Sequence, residues 1–531
     1  MRSQPPRDFG PDLNRSKSDG DSSRRPLRIV ADLSWLRPGG ESGGIKPFAL
    51  EYLRELAALE SDRLVLIFLT WSCSHAEVRL LARAQDELVC VRHTEPAPPA
   101  DLCSCREGEL FIPTPPPDLL LRLKADLLYI PVGPPQFACP GIPTISTIAD
   151  VLHREYPSTL TPENNAMRET IFAYLVSLCD RFQCISHYTA ERLHQYFSVP
   201  LAQTFCSYIP IHQRLASFTK ENQASILPVP YFFYPANSWK HKNHETLLVA
   251  YHHYCAQDRT GSTWDLVLTG FLDDRMSQVL AIAESLGIKE RVHFLGHLPD
   301  RDFSRVWLHA GALIFPSLHE GFGIPLLEAM HFGVPILCSD AGSLGEVAGD
   351  AALFADARDP VAWAEAMYRI AHDETLRSDY ISRGRRRLTE FSLAGEIAEF
   401  RDVLAALAAQ RDLKHWHKGI HSDGWLGKMA IMCLPESDGA IRISLRLAAA
   451  STARRLLVRV GMTTVGDFDV PAQVATQFDL EVDLWHRSLV LEVPEAEKDE
   501  LNDPRSHGVV VKAVLTTDTA GRTHILFEAK S

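Results

Sequence analysis

Residues 310–350 read AGALIFPSLHEGFGIPLLEAMHFGVPILCSDAGSLGEVAGD. The run 312–316 is short and apolar, as a fully buried parallel strand is, and it gives way at 317–323 to a loop carrying Glu320, Gly321 and Gly323. Pro325 suits the first helical turn, where its missing N–H is no loss, and Leu326, Leu327, Ala329 and Met330 continue as good helix formers. Gly333 and Pro335 stop that helix, and 334–338 reads as the next strand. The stretch is therefore one strand-helix-strand unit.

Ligands of such units sit at the carboxyl ends of the strands, where a helix N-terminus presents unpaired N–H groups and the positive end of a dipole. The loop of Glu320, Gly321, Phe322 and Gly323 suits a phosphate, because glycines let the backbone come close. Glu328, inside the helix, is a carboxylate of the kind that accepts both hydroxyl protons of a ribose. Glu320 precedes the helix, so the two carboxylates reach different parts of one extended ligand. A nucleotide-sugar has that shape.

Glu320 and Glu328 within EGFGIPLLE, followed by AMHFGVPILCSD and GSLGEVAGDAALF, resemble the signature of the family 4 retaining glycosyltransferases, the glycosyl transferases group 1, which have the GT-B fold. The resemblance implies that Glu320 contacts the transferred sugar, that the backbone of Gly321, Phe322, Gly323 and Ile324 meets the diphosphate and sugar, and that Glu328 holds the ribose. Most glutamates are merely solvated helix-face charges, but such residues do not come with the glycines, Pro325 and both strands in register. The family's first strand ends in a Gly-Gly turn that approaches donor phosphate and acceptor; Gly43, Gly44 and Ile45 match it here, although a plain connecting loop also contains such a turn.

Two departures stand out. The acceptor-side loop of the family carries a His-Asp pair where this chain has Ala149 and Asp150. Asp150, at a strand's carboxyl end, is the better candidate for a role toward acceptor or donor sugar; His153, three residues on, is the second, against the ordinary reading of an isolated histidine as a surface or satisfied residue. The family also neutralises the donor diphosphate with an Arg and a Lys. Lys242 matches the Lys, and Asn237 stands at the Arg position, so the diphosphate would lean more on helix ends and backbone donors, helped by Lys240 or His241. The alternative is that KHK is only a solvated turn.

Composition bounds the rest. A chain of 531 residues exceeds a single core, and 46% hydrophobic with 23% charged content is ordinary for a soluble globular protein. The net charge of -13 argues against a nucleic-acid partner, which needs a concentrated basic face. Eleven cysteines, odd in number and without a CxxC pair, suggest neither a disulfide framework nor a zinc site, and a reduced cytoplasm is the simplest home. No stretch of about 18 apolar residues is present to span a membrane, and peripheral contact with its inner face stays open.

The chain divides into a disordered tail at 1–25, a Rossmann-like acceptor-side domain at 26–211, a linker at 212–229, a Rossmann-like donor-binding domain at 230–412 and an accessory β-sandwich at 420–531. The fold class is thus α/β, two doubly wound domains of GT-B type, with a C-terminal all-β unit announced by strict alternation at 441–447 and further short strands. Trp425 and Trp485 there are candidates for sugar stacking or for core.

A complete GxGxxG and a Walker lysine are absent from the sequence, which argues against an NAD enzyme and a P-loop NTPase. The acid-x-acid strings at 467–469 and 481–483 fall in the β-sandwich and match the metal motif of the other transferase fold poorly. The expectation is a cytoplasmic, metal-independent, retaining hexosyltransferase without cofactor. It takes a nucleoside-diphosphate sugar as co-substrate, and a glycan or lipid-linked acceptor of surface polysaccharide synthesis. A nucleotide-sugar epimerase and a non-catalytic sugar-nucleotide or glycan-binding protein are the alternatives.

Overall fold

The computed structural model of the chain describes residues 25–37, 44–59, 63–92, 109–111, 119–139, 141–210, 215, 224–257, 262–409, 417–420, 423–435, 439–449, 453–460, 463–483, 488–494, 497–498, 506–507 and 509–529. Gly43, Trp485, the expected tail up to residue 24 and most of the expected linker lie outside the described residues.

Eight parallel strands form the first sheet: β1 (Leu27–Leu33), β2 (Leu64–Trp71), β3 (Glu87–Arg92), β4 (Glu109–Phe111), β5 (Leu127–Ile130), β6 (Thr144–Ile148), β7 (Arg181–Cys184) and β8 (Thr204–Cys206), in the order β4-β3-β2-β1-β5-β6-β7-β8. The second holds six parallel strands, β9 (Tyr231–Pro235), β10 (Asp265–Thr269), β11 (Val292–Phe294), β12 (Ala312–Phe315), β13 (Ile336–Cys338) and β14 (Ala352–Phe354), in the order β11-β10-β9-β12-β13-β14. Strands such as TISTI in β6 and ALIF in β12 are buried at every position, which is what helices on both faces of a parallel sheet demand. In each sheet the order reverses once, between β1 and β5 and between β9 and β12. Those reversals are where open α/β sheets leave a crevice.

Seven helices matter for the site: α1 (Ile45–Leu59), α2 (Pro162–Leu178), α3 (His187–Phe197), α4 (His244–Gln257), α5 (Ile324–Phe332), α6 (Leu344–Ala348) and α7 (Leu393–Ala408). Their ends are set by local chemistry. Thr161 caps α2 with Pro162 at its first position, Ser186 caps α3, and α5 stops at Gly333 in the left-handed conformation, φ 67°, which glycine adopts without strain. α7 returns to the first sheet: the Phe400 ring lies 5.0 Å from that of Tyr129 and 5.9 Å from that of Tyr52 on α1, and Glu396 accepts the Tyr208 N–H at 3.0 Å. Among the described residues no helix is long and apolar enough to cross a membrane.

The C-terminal unit is antiparallel. β15 (His417–Ile420), β16 (Trp425–Cys433), β17 (Ile441–Ala449), β18 (Arg454–Val460), β19 (Thr463–Val470), β20 (Thr476–Val482) and β21 (Ser488–Glu492) belong to one nine-stranded sheet, the ribbon of β22 (Glu497–Lys498) and β23 (Ser506–His507) stands apart, and β24 (Val509–Thr517) and β25 (Thr523–Glu528) complete the large sheet. The edge strands β19 and β20 come into contact, so the sheet rolls around a core that includes Leu445, Val458, Leu491 and Val511. In IRISLRLAA of β17 every second residue is buried, the signature of a sheet with one wet face.

This unit rests on the first sheet's helices. Ile431 of β16 and Val490 of β21 join a buried cluster with Leu120, Tyr174 and Leu178, and Arg459 both pairs with Glu492 at 2.8 Å and donates to the Tyr174 hydroxyl at 3.1 Å.

Candidate active site

A cavity of about 1260 Å³ lies between the two sheet reversals. Its walls come from the chain that leaves β1, β5 and β6 on one side and β9, β10 and β12 on the other, with α1 and α2 closing the first side and α5 the second. Gly44, Asp150, Asn237, Lys242, Glu320, Gly321, Phe322, Gly323, Ile324 and Glu328 all line it. These residues, separated by as much as the distance from Gly44 to Glu328 in sequence, are brought to one place by the topology.

Its centre is an ion pair. Lys242 Nζ lies 2.6 Å from Glu320 Oε1, with 14% and 11% of the two side chains exposed, and the ammonium stands 5.5 Å from the centroid of the Phe315 ring. Burial pushes the Glu320 carboxyl up, but the adjacent Lys242 charge and hydrogen bond outweigh it and hold the group below the usual carboxylate range. Lys242 ends a short 3-10 turn, Lys240–Lys242, that precedes α4. Asn243 there takes φ 62° and donates to the Pro316 and Ala357 carbonyls at 3.0 and 2.7 Å, which locks the lysine's turn against the end of β12. His241 is buried; burial first, then the Lys242 charge, lower its pKa to about 4, so at neutral pH it brings no charge. Neither His241 nor Lys240 lines the cavity, so of this turn's two lysines it is Lys242 that reaches it.

The loop from Glu320 to Gly323 is fixed by its backbone. Ser343 donates its N–H and its hydroxyl to the Glu320 carbonyl, both at 3.1 Å, and Gly323 adopts φ 99° to turn the chain into α5. Only glycine takes that conformation cheaply. Glu328, 5% exposed, stands in the second turn of α5, eight residues beyond Glu320. A Cβ on Gly44 would collide with the Ile324 side chain, so the turn after β1 touches the start of α5 across the cavity.

On the first sheet's side of the cavity Asp150 accepts the Leu152 N–H at 2.9 Å and pairs with Arg168 of α2 at 3.0 Å. Burial raises its carboxyl, and Arg168 with the Leu152 N–H more than offsets this, leaving it lowered. Asn237 accepts the Phe271 N–H at 3.2 Å through Oδ1, so the residue at the family's arginine position braces the loop after β10. The Phe271 ring lies parallel to His297, centroids 4.6 Å apart, on the same rim.

His153 requires a correction. It does not line the cavity: it is 5% exposed, with ring centroids 4.7 Å from Phe172 and 5.8 Å from Phe197, and its Nε2 is 3.6 Å from Glu169. One turn of helix, Leu152–Glu155, follows the loop at once and swings the imidazole behind the strand end, away from the cleft. Burial lowers its pKa to about 4.

Several lining residues had no signal in the sequence. Arg168, Ile171 and Phe172 come from α2, and Lys46, bonded to Glu77 at 2.6 Å and to the Arg37 carbonyl at 3.0 Å, from α1. Only the lysine following the Gly-Gly turn was adjacent to a motif. Among the described residues His187, Cys206 and Glu346 bring three groups of metal-ligating type together, but both Glu346 oxygens accept backbone N–H groups of His187 and Tyr188 at 2.8 Å.

Residues 218–387 match the family described as glycosyl transferases group 1. The chain is similar to the O-antigen chain mannosyltransferase B of Escherichia coli, 34% identical over 166 residues, which are 30% of this chain and 42% of that protein. It is similar also to the O-antigen chain mannosyltransferase RfbU of Salmonella typhimurium, 23% identical over 229 residues, 42% of this chain and 60% of the relative. The chain thus spans less than two thirds of these curated relatives. Among solved structures, Anabaena HepE in complex with UDP and glucose superimposes with a TM-score of 0.53 at 15% identity, over 72% of this chain and 100% of that one. WaaG, a glycosyltransferase involved in lipopolysaccharide biosynthesis, does so with a TM-score of 0.51 at 17% identity, over 71% and 99%. These likenesses cover the two α/β halves in extent and show a common GT-B fold.

Proposed function

We propose that this chain, whose residues 218–387 form a glycosyl transferases group 1 domain within a GT-B fold, is a retaining glycosyltransferase. It moves a hexose-type sugar from a nucleoside-diphosphate sugar to a glycan or lipid-linked acceptor of surface polysaccharide synthesis. The observation that carries this reading is the Lys242–Glu320 pair at 2.6 Å, set between the two sheet reversals beside a glycine loop that opens a helix. The names of the relatives support the polysaccharide context.

The chemistry follows from what each group can do. Glu320, held ionised, accepts hydrogen bonds from hydroxyls of the donor sugar, and Glu328 accepts those of the ribose. Lys242 and the N–H groups at the start of α5 meet the charge that develops on the departing diphosphate. An acceptor hydroxyl approaches from the side of Asp150 and α2 and attacks the anomeric carbon on the face the leaving group vacates. Because charge on the leaving group is met by Lys242 and the helix end, turnover is metal-independent and EDTA leaves it unchanged. We place the enzyme in the cytoplasm, at or near the inner face of the membrane that carries its acceptor.

The test is a thermal unfolding series against UDP, GDP, ADP and dTDP and their sugar conjugates, with Glu328→Ala beside the wild type. Saturation near 100 times the dissociation constant adds about 2.7 kcal/mol, readily seen. One base family should stabilise the wild type and lose most of its effect in Glu328→Ala, and NMR of the product should show the donor's anomeric configuration. An inverted product refutes retention; turnover of donor without acceptor to an isomeric nucleotide-sugar makes the protein an epimerase; no shift with any nucleotide refutes the reading.

A further inference from the structure

A set of bonds that the proposed chemistry does not use crosses between the two α/β halves. Ser186, fully buried, follows β7 and caps α3, its Oγ accepting the Thr189 N–H at 3.0 Å. Its Oγ also lies 2.8 Å from the Gly321 carbonyl, with the Thr189 hydroxyl 3.4 Å from the same oxygen and 2.9 Å from the serine. Two hydroxyl protons are therefore available to a carbonyl in the middle of the donor-side loop. In the reverse direction Glu346 of α6 lays one carboxylate oxygen on the His187 N–H and the other on the Tyr188 N–H, each at 2.8 Å, at the positive end of α3. Between these contacts the backbones themselves touch: a Cβ on Gly321 would run into the Ala149 carbonyl.

The loop bearing Glu320 is thus held from two sides. Ser343 fixes the Glu320 carbonyl from within the donor half, whereas Ser186 fixes the next carbonyl from the acceptor half. The second hold exists only while the halves are apposed. We propose that Ser186 and Glu346 are positioning residues that form a closure latch, seating the Glu320 loop when α3 docks against it. The inference rests on the cleft being the transfer site, and it adds that closure itself sets the geometry of the loop's donors. It also accounts for the glycine at 321, since any side chain there would prop the latch open.

Three full-length variants test it. Glu346→Gln keeps shape but turns an N–H toward a helix N–H; Ser186→Asp keeps a cap acceptor for α3 and lacks the proton for Gly321; Ser186→Thr restores hydroxyl and proton. Small-angle X-ray scattering of the protein alone should give a larger radius of gyration for the first two and the wild-type value for Ser186→Thr. With UDP-glucose and GDP-mannose as donor probes, kcat should fall about tenfold in both, the scale of one hydrogen bond lost in the transition state, while donor KM moves less than threefold. Thermal melting identifies a variant that has simply misfolded, and the other then decides. An unchanged radius of gyration in both overturns the latch whether or not the wild type transfers sugar, and so does an opened protein with undiminished kcat. Open variants together with an inert wild type refute the transferase reading and leave the latch as a device that closes the cleft.

Discussion

Two loops leave strand ends and face one another across the cleft, and Glu320 of one and His153 of the other meet opposite fates. After β12, Glu320 stays in the cavity, ionised, with a lysine at 2.6 Å. After β6, Asp150 likewise stays in the cavity beside Arg168, but His153, three residues on, is withdrawn among Phe172 and Phe197 and stays neutral down to about pH 4. A buried ionisable side chain at a strand end is therefore no sign of chemistry by itself. What separates the two is the balance: the Lys242 charge at 2.6 Å outweighs burial at Glu320, whereas Glu169 at 3.6 Å does not outweigh it at His153.

Removing the charge is the harshest way to erase that difference. Lys242→Met leaves Glu320 buried without its cation, and turnover should fall by about 10²–10³, the cost of losing one preorganised group opposite developing charge. At neutral pH the variant should melt below the wild type, and the gap should close in acid. A depressed carboxyl contributes stability above its unfolded pKa and loses it as the pH falls through the folded one; without Lys242 burial alone raises the carboxyl, so the variant has no such contribution to lose. Melting curves from pH 7 to 3 read this directly; superimposable curves would mean the pair contributes nothing.

Gly321→Ala tests whether the loop tolerates bulk where the Ala149 carbonyl presses on it. A collision of this kind costs on the order of 1–3 kcal/mol unless the halves part, so roughly a tenfold loss in kcat with little change in melting is expected. Asn237→Ala frees the Phe271 N–H and should raise donor KM by about threefold, the effect of one neutral hydrogen bond, seen in initial rates against donor concentration.

The smallest effect sharpens the comparison most. His153→Phe should leave kcat within about twofold of wild type, because the ring does not reach the cavity. It should nonetheless resist acid better. The folded pKa, about 4, lies below the ordinary 6.5, so the wild type is fully stable above that value and loses stability as the pH falls from 6.5 toward 4, while phenylalanine has no proton to take up. His241 and His244 shift the same way and remain in both proteins, so the difference between the two melting series isolates position 153.

The second α/β half was legible because its motif is written locally. Glu320, the glycines, Pro325 and Glu328 lie within nine residues, and Lys242 sits in its own short motif, so the sequence displays the parts although the ion pair spans 78 positions. The first half's wall of the cavity is assembled from α1, α2 and three strand ends, and neither the Asp150 partner Arg168 nor the contact of Ser186 with a carbonyl 135 positions away follows any pattern in the chain. The strands show the same divide. β17 alternates and was readable, but in β16, MAIMC buries Ala430 and Met432 in the β core and Ile431 against Tyr174 and Leu178, so both faces are apolar and no period survives. β19 hides for the converse reason, as an edge strand with Gly466 and two aspartates and little buried surface. β4 falls in a proline-dense stretch, residues 95–117, and three residues are too few to mark a strand there.

The seat of the rolled sheet on α2 has a practical side for anyone who would work with the two α/β halves alone. Cutting the chain after α7 would strip Ile431 and Val490 from the cluster around Tyr174 and Leu178 and take Arg459 from the tyrosine hydroxyl. The bared patch lies on the same helix that carries Arg168 into the cleft, so a shortened protein would be sticky and would hold that wall of the cleft less firmly.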